Sequence, residues 1–77
     1  MAYVVSVGKD EREISSLHPT RLTCRYMVGE QDGVKLLQLN SYGSEDRAVP
    51  DKLSQTLQFD ESSARQLFEI IRAEFGF

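Results

Sequence analysis

Histidine and cysteine each occur once in the 77 residues, as His18 and Cys24, and they are the first places to look for nucleophilic or metal chemistry. A structural zinc site takes about four such ligands, so one of each points to no metal. Cys24 alternates with Leu22 and Tyr26, which predicts the inner face of a strand, where a buried thiol is inert and packs as a small hydrophobe. His18 stands before Pro19 with no serine or carboxylate placed to complete a triad, so it reads as a loop residue rather than a base. Glu11 with Glu13, and Glu45 with Asp46, are possible paired carboxylates for acid-base work. That chemistry needs a pocket that shifts their pKa values, and both pairs lie in polar stretches that read as solvated loops. Gly43 is isolated, while Gly29 and Gly33 flank a hairpin rather than a strand-to-helix turn, so no phosphate-cradling glycine motif is present. The expectation is a protein that is not an enzyme and carries no cofactor.

A different kind of chemistry is spread along alternating positions. If Leu22, Cys24 and Tyr26 face inward with Leu37, Leu39, Leu57 and Phe59, the opposite face carries Arg21, Thr23, Arg25, Leu36, Gln38, Asn40, Tyr42, Ser54, Thr56 and Gln58. Cations, one aromatic ring and several amides on one sheet face suit single-stranded nucleic acid, through phosphate contact, base stacking and hydrogen bonds. In that reading Arg21 and Arg25 hold phosphates, Tyr42 stacks a base, and Gln38, Asn40 and Gln58 hydrogen-bond. Arg47 and Lys52 extend the surface, although Glu45, Asp46 and Asp51 beside them cancel much of their field. The plainer reading of the same residues is an ordinary solvated sheet face.

Those positions must be held by regular elements. Ala2-Tyr3-Val4-Val5-Ser6-Val7 is β-branched and aromatic and ends at Gly8, which predicts a strand over about 2–7. Strict alternation over about 20–28 predicts a second strand, and Gly29 to Gly33 a hairpin loop that joins it to a third over 34–42. A polar loop over 43–53 precedes a fourth strand at about 54–59. Asp60 is a suitable N-cap for a helix over about 61–75 whose apolar positions Ala64, Leu67, Phe68, Ile71 and Phe75 form one stripe, widened by Ile70 and stopped by Gly76. Glu61 with Arg65, and Arg65 with Glu69, are i, i+4 opposite-charge pairs on the solvent side. The expected class is α+β, one domain over residues 1–77 with a four-stranded antiparallel sheet followed by one C-terminal helix, ββββα.

A chain of this size buries only about 60% of the surface its unfolded form exposes, so association is a natural supplement to its core. Phe68, Ile70, Phe75 and Phe77 offer the apolar surface for it, and a homodimer joined helix to helix is expected. The net charge is −3, with five positive and five negative side chains over residues 1–43 but four and seven over 44–77. That balance disfavours coating of nucleic acid by bulk charge and leaves a second expectation, a protein-interaction or inhibitory module that binds a larger protein complex. Apolar runs such as Tyr3 to Val5 fall far short of the roughly 20 residues that span a bilayer. The N-terminus lacks the basic and cleavage features of a signal peptide, and a lone cysteine suits a reducing compartment, so no membrane partner and a cytoplasmic location are expected.

The order of elements, with a polar loop ahead of the fourth strand, resembles the positive-cofactor type of transcriptional coactivator, a family of small single-stranded-DNA-binding dimers. The resemblance runs over roughly residues 20–75: Pro50-Asp51-Lys52 resembles the family's Pro-Gly-Lys loop, Leu57-Gln58-Phe59 its Ile-Ser-Leu strand, and Leu67 its helix leucine. The family's helix tryptophan is Ala64 here, and its lysine-rich loop is reduced to Arg47 and Lys52. Membership would imply single-stranded DNA binding in transcription regulation. Asn40-Ser41-Tyr42-Gly43-Ser44 and Ser54-Gln55-Thr56-Leu57-Gln58-Phe59-Asp60 also resemble short bacterial proteins that carry a methionyl-tRNA formyltransferase-like name. Formyl transfer needs a folate pocket and a placed acid-base group, so that activity is not carried over to this chain.

Overall fold

In the computed structural model the described residues are 1–42 and 53–77. They form strands β1 (Ala2–Val4), β2 (Cys24–Gln31), β3 (Val34–Tyr42) and β4 (Leu53–Phe59), then helix α1 (Glu61–Phe75). The class is α+β and the order ββββα, as expected. No helix of the described residues is long and apolar enough to cross a membrane.

The sheet order is β1-β4-β3-β2, and β1 lies parallel to β4, pairing Ala2 with Leu57 and Val4 with Phe59. The sheet is therefore mixed, which corrects the expectation of a purely antiparallel one. A parallel neighbour needs a crossover of a dozen or more residues, and the chain between β1 and β4, which includes the β2–β3 hairpin, provides the length. β1 also ends earlier than its composition suggests. The backbone N–H of Val7 donates to the Gln66 side chain on α1 at 2.9 Å, so the segment after Val4 leaves the sheet for the helix.

β2 and β3 make an antiparallel hairpin with Gln31 opposite Val34. Asp32 and Gly33 have φ of 53° and 79°, positive at both central positions of a two-residue turn. The hairpin tip is thus Asp32-Gly33 alone. Gly29 and Glu30, expected in the loop, are strand residues opposite Leu36 and Lys35. β2 is displaced toward the turn, and residues 20–23 stand outside it.

The register stacks Val4, Phe59, Leu37 and Val28 in one cross-strand row and Ala2, Leu57, Leu39 and Tyr26 in the next. α1 lies on this face over β3 and β4. Phe59, 5% exposed, is the one buried apolar residue among those described. A helix is about 10 Å across and strands lie about 4.8 Å apart, so one helix shelters two strands. All of β2 is left exposed, Cys24 and Tyr26 included, and so is Leu22 ahead of it. The shared face of Cys24 and Tyr26 with Leu37, Leu39, Leu57 and Phe59 is as expected; their burial is not.

α1 is closed at both ends. The Ser63 N–H donates to Asp60 Oδ1 at 3.0 Å and the Asp60 N–H donates to Ser63 Oγ at 3.1 Å, a reciprocal capping box with Ser63 fully buried. Gly76, at φ 74°, ends the helix in the left-handed conformation, and the Phe77 N–H donates back to the Arg72 carbonyl at 3.0 Å. On the solvent side Arg65 pairs with Glu61 at 3.8 Å, while Glu69 is taken by Arg72 at 3.9 Å rather than by Arg65.

Candidate nucleic-acid interface

The sheet face away from α1 is organised in two cross-strand rows, Arg25-Asn40-Thr56 and Met27-Gln38-Gln58-Tyr3. The pleat puts these residues together because directly opposed residues share a face. Gln58 Nε2 donates to Gln38 Oε1 at 3.0 Å, Gln38 Nε2 to Asn40 Oδ1 at 2.8 Å, and Asn40 Nδ2 to the Met27 sulfur at 3.3 Å. The result is one directional chain of amides across three strands. Each glutamine in it keeps at least one further donor or lone pair for another molecule.

At the end of the first row the Arg25 guanidinium lies over the Tyr42 ring, 5.5 Å from its centroid. Stacking of this kind orders a flexible side chain and leaves its in-plane N–H groups free to reach an anion. Arg25 forms no salt bridge among the described residues and is exposed. Its charge is therefore presented to solvent from a braced position.

The residues expected to bind nucleic acid fall into three groups. Arg25, Gln38, Tyr42 and Gln58 stand together on this face, with Asn40 among them. Asn40 is only 6% exposed, and both ends of its amide are engaged, by Gln38 and by the Met27 sulfur. Arg21 lies before β2, exposed but off the sheet, because the strand starts at Cys24. Arg47 and Lys52, like Glu45 and Asp46, lie outside the described residues.

Sequence reasoning passed over two members of this surface. Met27 had the right parity but was not counted as polar, although its sulfur accepts the amide of Asn40. Tyr3 joins through the parallel pairing of β1, and its hydroxyl donates to Asp60 Oδ2 at 2.7 Å. The Ser63 backbone N–H and then this hydroxyl hold the Asp60 carboxyl below its ordinary range, and the same bond to Asp60 raises the Tyr3 phenol. His18 is a turn brace, its Nδ1 accepting the Thr20 N–H at 3.0 Å.

On the other side of the molecule Phe68, Ile70, Phe75 and Phe77 are all exposed, with Phe75 72% accessible. The rings of Phe75 and Phe77 stack across the C-cap with centroids 5.8 Å apart. Comparison with known proteins finds no family model, no curated protein and no solved structure that matches this chain.

Proposed function

We propose that this chain is a small non-catalytic binding module that takes single-stranded nucleic acid, DNA or RNA, on the sheet face away from α1, in the service of transcription regulation. The observation that carries the reading is the Arg25 guanidinium braced on Tyr42 beside the Gln38 and Gln58 amides. Arg25 contacts a phosphate, the Tyr42 ring beneath it accepts a base, and the two glutamines hydrogen-bond to base edges or sugar. Arg21, at the entry to β2, adds a second phosphate contact, and Arg47 and Lys52 extend the path. The lone thiol suits a reducing compartment, which in this reading is the cytoplasm.

The test is fluorescence anisotropy of labelled single-stranded DNA and RNA oligomers, with a duplex of equal length beside them, at two salt concentrations. Salt-sensitive binding that prefers the single strand is the expected result. Absence of binding at micromolar protein, or binding insensitive to salt, would refute it.

A second reading, a module that binds a protein complex, is favoured by the exposed Phe68, Ile70, Phe75 and Phe77 on α1. Recovery of a defined complex in a pull-down, lost on Phe68→Glu, would support that reading over the first.

A further inference from the structure

Among the described residues nothing pairs with the outer edge of β2. Tyr42 donates its N–H to the Thr23 carbonyl at 3.2 Å, and in an antiparallel ladder hydrogen-bonded pairs recur at every second residue. Arg25, Met27, Gly29 and Gln31 therefore turn their backbone groups toward β3. Cys24, Tyr26, Val28 and Glu30 turn theirs outward, where β2 is the last strand of the sheet and no described residue pairs with it. Natural edges of this length are blunted by proline, inward charge, a bulge or a covering element. β2 is eight residues long, contains no proline, and pairs with β3 without a bulge. Its apolar side chains are uncovered, with Tyr26 71% and Val28 62% exposed.

We infer that β2 pairs antiparallel with β2 of a second copy of this chain, about a twofold axis through Met27, to make one continuous eight-stranded sheet. The strand's own sequence selects this occupant. Around Met27, Tyr26 meets the partner's Val28 and Val28 meets the partner's Tyr26, an aromatic and β-branched pair formed twice on the helix side. Arg25 meets the partner's Gly29, whose Cα has open space around it, so the guanidinium keeps its place over Tyr42. The strand's two charges, Arg25 and Glu30, never face their own kind in this register. With one buried apolar residue among those described, the single chain also lacks the core that a second copy would extend. The pairing goes beyond nucleic-acid binding and does not depend on it. Where that reading holds, two Arg25-Tyr42 stacks come to lie on one unbroken face.

The register makes the test specific. The two Met27 residues form a pair without mutual hydrogen bonds, with Cα atoms about 4.5 Å apart, inside the range a disulfide spans. Cys24 instead faces the partner's Glu30, about 20 Å from the partner's Cys24 at 3.4 Å per residue. The doubly substituted chain Cys24→Ser, Met27→Cys is expected to form a covalent dimer in oxidised glutathione, while the unsubstituted chain, its two Cys24 thiols too far apart, forms no crosslink within the dimer. Light scattering of the unsubstituted chain is expected to give twice the 8.8 kDa chain mass, reduced to a single chain by Val28→Pro, which removes an outward N–H and spares the β2–β3 ladder. Circular dichroism checks that Val28→Pro keeps the fold. A monomeric mass for the unsubstituted chain overturns the inference. So does a dimer that survives Val28→Pro and gives no Met27→Cys crosslink, since that places the contact elsewhere, on α1. A species in which the edge holds some other polypeptide and never a second copy overturns it as well.

Discussion

Replacing Arg25 by alanine should change how binding of a single strand depends on salt, by an amount the geometry fixes in advance. Each phosphate neutralised on a single strand contributes about −0.7 to the slope of log affinity against log salt. With Arg25 braced on Tyr42 and Arg21 at the entry to β2, two contacts give a slope of about −1.4, and affinity falls about sevenfold for a fourfold rise in salt. Contacts from Arg47 and Lys52 would steepen both curves equally. Arg25→Ala should thus make the slope shallower by about 0.7, so that the same fourfold rise costs about 2.6-fold less than in the unsubstituted chain. Arg25→Lys should keep the slope and lose affinity, because a point charge neither stacks on the ring nor forks to a phosphate. Arg12→Ala is the control, since Arg12 is paired with Asp10 at 3.3 Å in the exposed connection after β1 and should leave the slope alone. The assay is anisotropy at four or more salt concentrations with circular dichroism to check folding. An Arg25→Ala slope equal to that of the unsubstituted chain would refute the assignment of Arg25 as a phosphate contact.

Three further outcomes follow from the fold. Phe59→Ala removes the one buried apolar side chain described and should cost about 3–5 kcal/mol, against a total of about 4–12 kcal/mol expected for a chain of this length, so urea melts should show a large loss or no folded baseline. Gly33→Val places a β-branched residue at φ 79° and should cost about 1–2 kcal/mol in the same melts, with the hairpin as the site of the loss. The Asp60 carboxyl titrates below its unfolded value, so its contribution is fully present above about pH 4 and is lost as the pH falls through the lower folded value. Thermal melts from pH 6 to 2 should therefore fall more steeply for the unsubstituted chain than for Asp60→Asn, which keeps a capping oxygen but does not titrate.

What was legible in the sequence was what local chemistry decides. The bounds of α1 follow from Asp60 and Gly76, and those of β3 from the hairpin glycine before it and the polar loop after it, so both match the expected ranges. β2 shifted because a two-residue turn at Asp32-Gly33 is shorter than the polar stretch that surrounds it. Burial was read less well than facing. Alternation gives parity, but Cys24 and Tyr26 are exposed because cover depends on where the helix lies, and Asn40 is buried although its parity is polar. The candidate site was legible as a set of same-face residues. The amide chain that orders it, and the loss of Arg21 from the strand, depended on register and were not.

The place of β1 has a kinetic consequence. The β2–β3 hairpin and α1 are assembled from neighbours in the chain, whereas Tyr3 reaches an acceptor 57 residues away and Val7 one 59 residues away. Closing so large a loop costs entropy before any contact repays it, so such pairings form late. The three antiparallel strands and the helix are then the nucleus, and β1 is the latch that drops beside β4 once that nucleus stands. Local opening runs the same path in reverse, which would make the amides that pair β1 with β4 the first of the hydrogen-bonded sheet amides to exchange with solvent.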